Sequence, residues 1–172
     1  YAEYMKQFNA NPSDAGYGPN WYESIDFCRW LGRQIRLSED DQAYADPESL
    51  NQQAYPRDPN PPVNWAPLDW PVKLGRMGFR LPTETEWEVA ARSGVRTAYG
   101  YGSDSELLIR FDWWFTDESG KHVHTPRGLR PGLRGLFDMH GNLCEWTHDW
   151  FGDYSSETVV DPLGPVRSDL AT

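Results

Sequence analysis

The chain has 172 residues, 26 acidic and 16 basic side chains and a net charge of −10. That length fits one domain able to bury a core, and the negative balance argues against nucleic acid, whose phosphates need clustered Lys and Arg. Hydrophobic content is modest at 38%, but aromatics reach 15% with nine Trp, beside 14 Pro and 15 Gly; we expect an α+β domain of short elements in which large rings supply the burial.

In chain order, the first predicted element is a helix in "GPNWYESIDFCRWLGRQI". Asn20 followed by Glu23 has the form of a capping box. Trp21, Ile25, Cys28, Leu31 and Ile35 recur at the spacing of a buried helical stripe, which places Cys28 inside. From Ile35 to Gly78 the chain is Pro-rich and reads as an insertion wrapping the domain surface, pinned by Trp65 and Trp70.

A second helix follows in "RLPTETEWEVAARSG". Thr83 caps it, Glu86 closes the box, and Trp87, Ala90 and Ala91 form its inner face. Arg92 suits the last turn and Gly94 the stop. Beyond Gly94 the periodicity dissolves: "TAYGYGSD" is turn-rich, "IRFDWWF" reads as a short strand, and His122 and His124 read as solvated. No apolar run approaches a membrane span, and the opening "YAEYMKQF", with no basic start or apolar middle, does not read as a signal peptide.

The densest chemistry lies in "GLFDMHGNLCEWTHDWF", residues 135–151. Asp138, Asn142 and Glu145 are oxygen donors within eight positions, and Gly141 allows a bend that turns carbonyls inward, as a calcium cage needs. Equally, Asp138 and Glu145 could cap turns or pair with Arg130 or Arg134. His140, Cys144 and His148 recur every four residues, but Gly141-Asn142 would interrupt the helix that a zinc site needs. Cys144 has acidic Glu145 beside it and reads as a buried, inert thiol; His148 reads as a packed core histidine.

"GFRLPTETEWEVAARSG", "RGLFDMHGNLCEWTHDWFGDY" and "DPLGP", in that order, resemble the formylglycine-generating enzyme family, the sulfatase-modifying-factor domains. "NWYESIDFCRWLG" is similar to the family's earlier helix. The resemblance implies an atypical C-type-lectin-like fold with little regular secondary structure. It implies structural calcium held by the side chains of Asp138 and Glu145 and the carbonyls of Gly141 and Leu143, with Asn142 structural, and a second calcium near Asp117. Catalytic members oxidise a sulfatase cysteine using copper(I) on a C-terminal cysteine pair, to which neither Cys28 nor Cys144 corresponds; that pair would lie beyond Thr172.

We therefore expect a single domain over residues 1–172, truncated at both ends. Its expected role is a non-catalytic lectin-like binding or accessory module of a bacterial, cytoplasmic protein such as a signalling kinase, with a protein or small ligand as partner. The alternative is a copper-dependent oxidase acting on a sulfatase peptide.

Overall fold

The computed structural model describes residues 19–46, 70–113 and 124–165. The chain divides into two compact units, Tyr1–Leu81 and Pro82–Thr172.

In the first unit, α1 spans Trp21–Gln34. It begins where expected because Asn20 accepts from the Glu23 amide at 2.9 Å while Glu23 accepts from the Asn20 amide at 2.8 Å, so two otherwise orphaned donors are satisfied reciprocally. Ile25 and Cys28 are buried in a cluster with Tyr44 and Trp70, against which Trp21, Tyr22, Val72 and Leu81 pack. Ile35 departs from the expected stripe: it is the C-cap, 59% exposed, because the helix stops one residue short of it.

The supposed insertion does not simply wrap a surface. Its two described ends build this core. Gln42, Ala43, Tyr44 and Trp70 are all buried. The Lys73 amide donates to the Ala43 carbonyl at 2.8 Å and the Gly78 amide to the Asp41 carbonyl at 2.9 Å, while the Trp70 indole donates to the Ala45 carbonyl at 3.1 Å. The expectation missed this because the segment lacks periodicity; two large aromatic rings supply its burial instead. Trp65 lies outside the described residues.

Arg29 is the unexpected member of α1. It is 1% exposed. Its guanidinium donates to the Tyr44 carbonyl at 2.5 Å and to Glu39 and Asp46 at 2.8 Å each. A buried charge persists only when paired in this way.

In the second unit, α2 spans Glu84–Arg92. Thr83 and Glu86 form the expected box, at 3.2 and 2.9 Å. Ser93 ends the helix in the left-handed region at φ 56°, and Gly94 follows at φ 82°. The expected strand at residues 109–115 is instead helical through Phe111, and the backbone turns extended at Asp112. A 3-10 turn at Ser105–Leu107, capped by Asp104, runs into the single turn α3, Leu108–Phe111. The cap side chain outweighed the apolar run, because a local hydrogen bond closes the turn before any sheet partner is available. Among the described residues, β-structure amounts to the isolated bridges Tyr44–Val72 and Tyr99–Gly102.

Candidate functional site

Residues 145–154 are held against α2 and the residue pair before it by side-chain and backbone hydrogen bonds. The Trp87 indole donates to Glu145. The Glu84 amide, an orphan donor of the first turn, donates to Asp149 at 2.8 Å, where the helix dipole also favours a carboxylate. The His148 amide donates to the Pro82 carbonyl at 2.7 Å, and the Tyr154 hydroxyl to Glu88 at 2.7 Å.

Two non-glycine residues shape the 135–151 loop. Asp138 (φ 58°) and Asn142 (φ 70°) both occupy the left-handed region, which short polar side chains tolerate best. Gly141 serves another purpose than the expected bend: a Cβ there would lie 2.5 Å from the Trp113 carbonyl oxygen, so only glycine permits this backbone approach. Asn142 holds the His124 backbone at both ends, accepting from its amide at 2.8 Å and donating to its carbonyl at 3.2 Å. His124 is correspondingly half-buried, not freely solvated; it stacks on Trp113 with ring centroids 3.8 Å apart.

Asp138, Gly141, Leu143 and Glu145 all line one surface cavity of about 510 Å³. Asp138 accepts from the Arg127 amide at 2.9 Å through Oδ2, whereas its Oδ1 is buried without a hydrogen-bond partner among the described residues. Such an oxygen is costly unless something binds it. Carboxylate and carbonyl oxygens are the donors that calcium prefers, so the residues present fit that ion chemically. Among the described residues no group of three or more His, Cys, Asp or Glu is arranged to hold a metal, which leaves His140, Cys144 and His148 without a zinc geometry. Asp117 and His122 lie outside the described residues.

One expectation for the loop is corrected. Cys144 is exposed, and so are Leu143, Trp146, Trp150 and Phe151. The loop rests on one face of α2 and turns its other side outward, so it is not a core segment. Cys28 is buried as expected, and burial pushes its thiol up to about 11.

Beneath Asp138 lies a polar cluster that the sequence did not announce. Asp112 is 3% exposed and accepts from the Tyr101 hydroxyl at 2.7 Å. Burial raises the Asp112 carboxyl above its ordinary range, against the opposing hydrogen bond from Tyr101 and the charge of His140. Tyr101 stacks on Phe111 and Tyr99, with centroids 4.3 and 5.3 Å apart. Asp112, Tyr101, His140 and Asp138 share a cavity of about 10 Å³, the size of one water. The only signal in the sequence was a lone acid inside an aromatic run, which spacing rules do not single out.

The chain resembles known proteins along most of its length. It is 37% identical over 95 residues to the serine/threonine-protein kinase pkn1 of Chlamydia pneumoniae, covering 53% of this chain and 14% of the kinase. It is 38% identical over 103 residues to the formylglycine-generating enzyme of Streptomyces coelicolor, covering 51% of this chain and 32% of that enzyme. A chaperone protein, LppX of Paenibacillus barcinonensis, is 26% identical over 149 residues, 76% of this chain and 50% of that protein. The chain thus spans half or less of each of these three relatives. Among solved structures, Treponema denticola variable protein 1 superposes with a TM-score of 0.72 at 26% identity, over 95% of this chain and 65% of that one. The family model described as "Sulfatase-modifying factor enzyme 1-like domain" matches residues 8–167, and the chain belongs to that family.

Proposed function

We propose that this chain is a non-catalytic, lectin-like binding or accessory module of a larger bacterial protein, built on the sulfatase-modifying-factor fold. The observation that carries this reading is the breadth of the likenesses. The variable protein and the chaperone protein match 95% and 76% of the chain, whereas the formylglycine-generating enzyme matches 51%.

Calcium is the proposed structural ion of the 138–145 loop. Asp138 and Glu145 would supply carboxylate oxygens, and Gly141 and Leu143 carbonyls. Its role is to neutralise the unpartnered Asp138 oxygen and hold the loop on α2, with no part in chemistry. The partner is a protein or small ligand recognised on the exposed face of the second unit.

The second reading is a copper-dependent formylglycine-generating oxidase, favoured by the 38% identity to the Streptomyces enzyme. The deciding experiment incubates the full-length protein with copper(I), oxygen and a cysteine-bearing sulfatase peptide and reads the product by mass spectrometry. No conversion is expected; formylglycine at catalytic turnover overturns the module reading and establishes the oxidase.

A further inference from the structure

We propose that the groove between α2 and residues 149–165 is a docking site for an extended basic peptide, in which arginine or lysine alternates with apolar side chains. The inference rests on the binding-module reading and specifies its partner.

The groove has a volume of about 570 Å³, within the range that encloses ligands. Five carboxylates line it, Glu84, Glu88, Asp149, Asp153 and Glu157, and among the described residues no lysine, arginine or histidine does. Two of the five are engaged, Asp149 by the Glu84 amide and Glu88 by Arg92 and Tyr154. Glu84, Asp153 and Glu157 have side chains in no ion pair among the described residues. Glu84 and Glu88 come from α2 and Asp149, Asp153 and Glu157 from the facing segment, so a cationic ligand laid between them meets carboxylates on both sides. Tyr154, whose hydroxyl donates to Glu88, is pushed up to about 12 by burial first, then by Glu88 and Glu84.

Charge alone would describe a solvated face. The floor and rim are different: Trp150, Tyr154, Val159 and Leu163 line the same groove, and all four are exposed. Exposed aromatic faces beside carboxylates are the combination that holds ammonium or guanidinium groups, and the aliphatic residues offer burial to side chains between the cations.

The backbone decides for a peptide over a small amine. From Phe151 to Gly164 the chain has no helix or strand. Among the described residues its amides and carbonyls make no backbone–backbone hydrogen bond, the nearest being Trp150 to Pro165 at 3.3 Å. An extended chain laid alongside can pair with such groups while its alternate side chains enter the groove.

The test uses the full chain and a short fluorescein-labelled peptide alternating arginine with valine, read by fluorescence anisotropy. Saturable binding is expected. It should weaken at least about tenfold when the arginines are replaced by glutamine, and in the triple variant E84Q/D153N/E157Q, whose circular dichroism should match the parent. Hydrogen exchange on the unmutated chain should show peptide-induced protection within residues 151–164. Three results would each overturn the proposal: no saturable binding, undiminished binding by the triple variant, or protection confined to other segments. Equal affinity for arginine amide alone would overturn the peptide assignment. None of these outcomes touches the non-catalytic reading, which stands or falls on the turnover assay.

Discussion

Arg29→Met tests whether the first unit is organised around its buried cation. The substitution keeps the length of the side chain and removes every polar contact it makes. The Tyr44 carbonyl, on a fully buried residue, loses its charged donor at 2.5 Å, and an unsatisfied buried acceptor costs about 1–3 kcal/mol. Glu39 and Asp46 lose their partner too, but their side chains are 59% and 41% exposed. Water takes over there, and each pair contributes only about 0–1 kcal/mol. Against this, Arg29 Nε is itself buried without a partner, so its removal returns roughly 1 kcal/mol. The net expectation is a loss of about 2 kcal/mol, or roughly 4–8 °C in Tm for a chain of this length. The assay is urea unfolding followed by Trp fluorescence, with an unchanged m-value showing that stability alone has moved. Glu39→Gln and Asp46→Asn should each cost below about 1 kcal/mol. The reasoning is refuted if either of them matches Arg29→Met, or if Arg29→Met stays within about 0.5 kcal/mol of the parent.

Other outcomes follow from the same geometry. Thr83→Ala removes the α2 cap at a buried position and should cost about 1 kcal/mol by thermal melting, while Thr83→Ser should cost less because it keeps the acceptor. Gly100→Ala would set a Cβ 2.3 Å from the Ala91 carbonyl oxygen and should destabilise by more than about 2 kcal/mol; Gly75→Ala, with no atom within 4 Å but φ +75°, should cost only about 1 kcal/mol. Asp138→Ala should lower Tm and abolish its sensitivity to a calcium chelator, and a variant that still responds to chelator would remove Asp138 from the ligand set. Cys28 gives a pH signature. Its thiol lies at about 11 in the fold against an ordinary 9.0, so the native state holds a proton that the unfolded chain releases. The resulting stabilisation is complete below pH 9 and is lost as pH rises through 11; in Cys28→Ala that contribution to the alkaline decline should vanish from melts taken across the window.

Much of this protein was legible in its sequence wherever the physics is local. Both capping boxes, the starts of both helices, the end of α2 and the burial of Cys28 follow from side chains a few positions apart, since a cap bonds to its own neighbouring turn. The motifs of residues 78–94 and 134–154 likewise carried the family. Contacts between distant segments were not legible. Arg29 reads as one more surface cation until Tyr44, Glu39 and Asp46 close around it, and the 35–78 segment reads as a wrapping until Tyr44 and Trp70 meet under α1. Gly141 looks like a hinge, yet the backbone of Trp113, 28 positions earlier, is what demands it. Cys144 reads as a buried thiol, but which face of a loop meets its helix is settled by packing and has no period in the sequence. Short-range hydrogen bonding is written residue by residue; burial is a property of what arrives from elsewhere in the chain, and only the tertiary structure decided it.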